Sequence, residues 1–92
     1  MNNPSPTELW AKLISLNPNK EDIHLASQPD EPKEYHAKNE WMIYQKSSGA
    51  TWLVNLSAFP IQVDGKSLNK DEEKEIFSGV TISSQRNQYS HY

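Results

Sequence analysis

Glu40-Trp41-Met42-Ile43-Tyr44-Gln45-Lys46-Ser47-Ser48-Gly49-Ala50-Thr51-Trp52-Leu53-Val54-Asn55-Leu56 carries two apolar runs around a polar turn. Glu40 to Gln45 places Trp41, Met42, Ile43 and Tyr44 in succession, an aromatic and β-branched run that suits a pleated strand. Lys46-Ser47-Ser48-Gly49 supplies turn residues, and Thr51 to Leu56 makes a second strand in which Trp52, Val54 and Leu56 alternate. The two runs predict a β-hairpin.

Downstream the same chemistry continues. Ile61 and Val63 alternate before Asp64-Gly65, a hairpin turn signal that leads to Leu68. Lys70 to Glu75 is a charge run, expected as a solvated loop or a single helical turn. Ile76 and Phe77 are then separated from Val80 and Ile82 by Ser78-Gly79.

Upstream, Asp22 to Ala26 reads as a short strand with Ile23 and Leu25 on one face. Gln28 to Lys33, with two prolines and three charges, reads as a loop, and Asn17 to Lys20 as a turn. Glu8 to Leu16 reads two ways. Ser5-Pro6-Thr7-Glu8 has the form of a capping box, and Leu9, Trp10, Leu13 and Ile14 share a helical face. As a strand, Ala11, Leu13 and Ser15 alternate against Trp10, Lys12, Ile14 and Leu16. Local pattern alone favours the helix. The chain as a whole carries about six or seven short strands at spacings of about 8–12 residues, the mark of a sandwich or barrel.

The chain of 92 residues makes a single domain over 8–92 behind a flexible lead, Met1 to Thr7. Apolar residues are 35% of the total, and three Trp, four Tyr and two Phe compensate by burying large areas each. Nine basic and twelve acidic residues leave a net charge of -3, with acids interspersed among the lysines, which argues against nucleic acid. The absence of cysteine excludes disulfides and thiolate metal sites. No signal-like segment and no membrane-length apolar run is visible, so the expected location is intracellular, in nucleus or cytoplasm. The sequon Asn55-Leu56-Ser57 carries no meaning there.

From Thr51 onward the chain resembles the second half of a forkhead-associated (FHA) domain. That family runs a strand into Asp-Leu-Ser, then after one residue Asn-Gly-Thr, then a strand ending in Val-Asn-Gly. Here the text is Asn55-Leu56-Ser57, Ala58, Phe59-Pro60-Ile61, then Val63-Asp64-Gly65, and the spacing from Ser57 to Gly65 is kept without a gap. It goes on through Leu68, Ile76, Ser78-Gly79-Val80, Thr81-Ile82 and Tyr89. Trp10 to Leu16 with Ile23-His24-Leu25 is similar to the opening strands of FHA domains in DNA-damage checkpoint kinases. The resemblance implies an all-β fold, a small β-sandwich of FHA-like order with room for a missing strand, and reverses the local preference for a helix near Trp10.

The departures decide what the resemblance implies for function. The family reads phosphothreonine with a Gly-Arg pair, a Ser shortly before a His, and the Asn of Asn-Gly-Thr. There is no Gly-Arg pair here, and the one arginine is Arg86. His36 has Tyr35 beside it, and the stretch between Ser27 and Trp41 reads as too short for the missing strand and both recognition loops. Phe59, Pro60 and Ile61 stand where donors would, and a phosphate needs charge-assisted donors.

The chain is therefore expected to be a non-catalytic protein–protein interaction module of signalling, with phosphopeptide binding lost. Phe59, Pro60 and Ile61 are its candidate partner-binding residues. Its partner is expected to be an FHA-containing kinase that it competes with, or a second copy joined as a dimer through an unpaired sheet edge. The alternative is a phosphopeptide reader with a relocated site at Lys46, Ser47, Ser48 and Arg86. A third class, a helical-capped regulator, depends on Thr7 to Leu16 being helical. No cofactor or metal is expected: His24, His36 and His91 lack ligand spacing, and Asp71, Glu72, Glu73 and Glu75 lack the order of a calcium loop. Ser47, Ser48, Ser57, Ser83 and Ser84 have no nucleophile elbow or paired base around them, so no catalytic residue is expected.

Overall fold

The computed structural model describes residues 7–38, 40–85 and 87–92. Ten strands form among them: β1 (Glu8–Ser15), β2 (Ile23–Ser27), β3 (Glu34–Ala37), β4 (Trp41–Gln45), β5 (Thr51–Asn55), β6 (Ile61–Val63), β7 (Lys66–Leu68), β8 (Glu73–Ile76), β9 (Thr81–Ser83) and β10 (Gln88–His91). They build a six-stranded sheet in the order β2-β1-β10-β9-β6-β7 and a four-stranded sheet in the order β3-β4-β5-β8. Every pairing is antiparallel. The protein is all-β, a small β-sandwich, as the strand pattern predicts. No helix among the described residues is long and apolar enough to cross a membrane.

The core forms where the inner faces of the two sheets meet. Ala11, Leu13, Leu25, Ile61, Val63, Ile82 and Tyr89 come from the larger sheet, and Trp41, Ile43, Leu53 and Ile76 from the smaller. Trp41 bridges them, with its ring 6.3 Å from Tyr89 edge-on and 5.9 Å from Tyr35. Aromatic pairs in this geometry add to the stabilisation from burial alone.

The central hairpin forms as expected, with Trp41 opposite Asn55 and Gln45 opposite Thr51. Gly49, at φ 92°, closes its turn by donating its N–H to the Lys46 carbonyl at 2.8 Å. Which face of β5 turns inward differs from the alternation of Trp52, Val54 and Leu56. Thr51, Leu53 and Asn55 are buried, and the apolar set is half-buried on the outside.

Three segments depart from the sequence expectation, and a fourth carries a strand that the sequence reading does not place. Glu8–Ser15 is strand, which sets aside the helix and with it the helical-capped regulator. The segment is too short to be a stable helix by itself, and helices draw most of their stability from tertiary packing. As a strand it lies between β2 and β10, with Ala11 and Leu13 turned inward. A register shift between Leu9 and Ala11 leaves Leu9 58% exposed.

The stretch between Ser27 and Trp41 does hold a strand, β3, which packs Tyr35 and Ala37 against the core. Within the charge run, Glu73–Ile76 pairs with β5 as an edge strand, where charges facing solvent cost little. Gln88–His91 forms β10, between β1 and β9. Of the lead expected over Met1 to Thr7, all but Thr7 lies outside the described residues.

Candidate functional site

Odd- and even-numbered strands run in opposite directions, so alternate connections gather at opposite ends of the sandwich. The β3–β4, β5–β6 and β9–β10 connections share one end, where Glu40, Phe59 and Gln85 line a common recess of about 290 Å³. The β4–β5 and β8–β9 connections share the other, where Gly49 and Phe77 border a second recess.

The β5–β6 loop at the first end is fixed from below by Asn55, which is fully buried. Its side-chain amide donates to the carbonyl oxygens of Phe59 and Leu68, each at 2.8 Å, and its side-chain oxygen accepts from the Ser57 N–H at 2.9 Å. The Ser57 hydroxyl donates to the Phe59 carbonyl at 3.0 Å and accepts from the Phe59 N–H at 2.9 Å. Each polar group inside the loop therefore holds backbone. What the loop offers outward is apolar: Phe59 is 59% exposed, and Pro60 beside it is exposed as well.

Ile61, grouped with these two in the sequence expectation, opens β6 and is only 3% exposed. It anchors the loop in the core and leaves Phe59 and Pro60 as the surface. Ser57, Ser84, Gln85 and Glu40 complete the walls of the recess beside them.

The second candidate set is not brought together with the first. Lys46, Ser47 and Ser48 lie in the β4–β5 turn at the opposite end, and Arg86 lies outside the described residues. Lys46 is occupied within the chain, its Nζ standing 4.3 Å over the ring of Trp52. His24 and His36 are exposed, and His36 Nε2 is 3.5 Å from a carboxylate oxygen of Glu34. His91 is buried. Its Nδ1 lies 3.2 Å from the Phe77 carbonyl, which can only accept, so that nitrogen carries the proton and donates. Among the described residues, no group of three His, Asp or Glu side chains is placed to hold a metal ion.

Sequence reasoning passed over Asn55 as the organiser of the loop, though one signal was present. It closes β5 at an inward-facing position, where an amide can donate to carbonyls and a carboxylate cannot. The outer face of β4 and β5 was also missed. Trp41-Met42-Ile43-Tyr44 is apolar at every position, so both faces of that strand must be apolar. No protein-family model matches this chain, and no curated protein is significantly similar to it.

Proposed function

We propose that the protein is a non-catalytic protein–protein interaction module, similar to an FHA domain without phosphothreonine reading, that engages its partner through Phe59 and Pro60. The observation that carries this reading is a large apolar side chain held 59% exposed on a loop whose backbone is pinned by a fully buried asparagine. A loop whose backbone is already held loses less entropy on docking, which favours the aromatic it carries as an anchor. The Ser57 hydroxyl serves the Phe59 backbone rather than a catalytic base, in keeping with a binding role. The partner is an FHA-containing signalling kinase, whose surface a module of this shape would occupy in competition.

Calorimetric titration against isolated FHA domains of checkpoint kinases, with wild type and Phe59→Ala, tests the reading. Saturable binding that falls at least tenfold in the variant supports it. Absence of binding to any of them, or binding indifferent to Phe59, defeats it. Titration with phosphothreonine peptides separates the relocated reader: capture that depends on the phosphate would replace the interaction-module reading.

A further inference from the structure

The outer face of the four-stranded sheet carries an arrangement unlike the polar surface usual for the solvent side of a sandwich. Residues directly opposite one another on neighbouring strands share a face, so the register writes out its cross-strand rows. The first row runs Glu34, Tyr44, Trp52, Glu75, and the second His36, Met42, Val54, Glu73. Tyr35, Ala37, Trp41, Ile43, Leu53 and Ile76 point the other way into the core, which fixes these rows as the outside. Two aromatic residues are thus cross-strand neighbours, with an acidic residue at each end of their row. A third carboxylate, Glu73, reaches diagonally to accept from the Tyr44 hydroxyl at 3.0 Å.

Two further observations say what this face takes. The Trp52 ring already holds a cation, the Lys46 ammonium 4.3 Å from its centroid. The outer-face carboxylates are already turned to protein groups, Glu73 to the Tyr44 hydroxyl and Glu34 to His36, which shows that this face attracts donors. An aromatic floor bounded by carboxylates suits a guanidinium or ammonium group, through the negative face of the rings and charge-assisted hydrogen bonds. Lys46, tethered at the neighbouring turn, occupies that place from within the chain. The overall charge of -3 favours approach of a basic partner.

From this geometry we infer that the face is a second interface, separate from Phe59, that docks an arginine-bearing extended segment of another protein. An arriving arginine stacks on Trp52 in place of Lys46, and Glu34 and Glu75 hold its neighbours along the row.

The test is calorimetric titration of the intact chain with an eight-residue peptide alternating arginine and threonine, alongside one alternating glutamate and threonine. Backbone amide shifts map the contact. The expected result is saturable binding of the basic peptide alone, with shifts centred on Tyr44 and Trp52. Glu34→Gln with Glu75→Gln should weaken it at least tenfold, and Lys46→Ala should tighten it about threefold or more. Glu21→Gln with Asp30→Asn removes the same charge elsewhere and should leave the affinity within about twofold, as should Phe59→Ala. These substitutions lie outside the core, so circular dichroism should match wild type in each. No saturable binding by wild type and Lys46→Ala, equal loss in both charge-removal pairs, or shifts centred on the Phe59 loop would overturn the proposal. So would sedimentation showing the face covered in a dimer that Trp52→Ser dissolves.

Discussion

Asn55 donates its side-chain amide to the carbonyl oxygen of Phe59 at 2.8 Å, joining a fully buried polar residue to the most prominent side chain of the β5–β6 loop. The same amide bonds Leu68 at the end of β7, so one residue ties the exposed loop to both sheets. Asn55→Ala would take the side-chain partner from the Leu68 carbonyl and the Ser57 N–H, and leave the Phe59 carbonyl only the Ser57 hydroxyl. Each unsatisfied buried group costs about 1–3 kcal/mol, so a loss of about 3 kcal/mol is expected in urea unfolding. Asn55→Asp should lose about as much, because a carboxylate cannot donate to either carbonyl. Ser57→Ala, on the exposed side of the loop, should cost about 1 kcal/mol. A smaller loss for Asn55→Ala than for Ser57→Ala would show that the loop is held by something else.

Phe59 should be nearly free of structural duty. Substitution of an exposed side chain away from caps and strain shifts stability within about 0.5 kcal/mol, so Phe59→Ala should unfold at nearly the wild-type denaturant midpoint. Leu53→Ala, at a fully buried core position, should lose about 2–5 kcal/mol. A large destabilisation by Phe59→Ala would assign the ring to the fold instead of to a partner.

The central hairpin was legible because aromatic and β-branched residues crowd it and Gly49 marks its turn. Which face of β5 points inward was not. Trp52 and Val54 are as apolar as Leu53, so alternation gives no direction, and the buried partners Thr51 and Asn55 are polar. The burial of Asn55 is favourable because the Phe59 carbonyl and Ser57 N–H just beyond it, and the Leu68 carbonyl thirteen residues on, all meet its side chain. At β1 the helical spacing of Leu9, Trp10, Leu13 and Ile14 is real, yet pairing with β2 and β10 outweighs it. Glu73–Ile76 hid its strand character under charge, because one of its faces is solvated and its edge is open. Phe59 and Pro60 became candidates only through the resemblance to FHA domains; that Ile61 belongs to the core depended on where β6 begins.

The Tyr44–Glu73 bond makes the outer sheet face sensitive to alkali. Burial raises the Tyr44 hydroxyl above the ordinary tyrosine value of 10.0, and the hydrogen bond to Glu73 and the charge of that carboxylate raise it further. Tyr35 is raised as well, by burial and then by Tyr89. The folded state therefore keeps these protons to higher pH than the unfolded chain does. Their contribution is fully present below pH 10.0 and is lost as pH rises through the folded-state values. Phenolate absorbance should show Tyr44 titrating late, and Glu73→Gln should bring its midpoint back toward the ordinary value. A midpoint unmoved by that substitution would remove Glu73 as a cause.

The β6–β7 hairpin rests on two consecutive residues with positive φ, Asp64 at 51° and Gly65 at 81°. That is the geometry of a type I′ turn, whose twist matches the strands it joins. Asp64 tolerates it because a short polar side chain bonds locally, and here its carboxylate also accepts from the Thr81 N–H at 2.8 Å, stitching the turn to β9. A Cβ on Gly65 would meet nothing within 4 Å, so any cost of substitution there is one of backbone conformation and not of space. Gly65→Val should therefore destabilise by about 1–2 kcal/mol, the penalty for a left-handed L-residue, with β-branching toward the upper end. Asp64→Asn keeps both the local bonding and an acceptor for Thr81, and should stay within about 0.5 kcal/mol of wild type. Asp64→Val loses both and should cost more than Gly65→Val by urea midpoint. The order Asn, then Gly65→Val, then Asp64→Val follows from conformation plus one hydrogen bond; reversal of the last two would mean that the Asp64–Thr81 bond contributes nothing to holding the hairpin against the sheet.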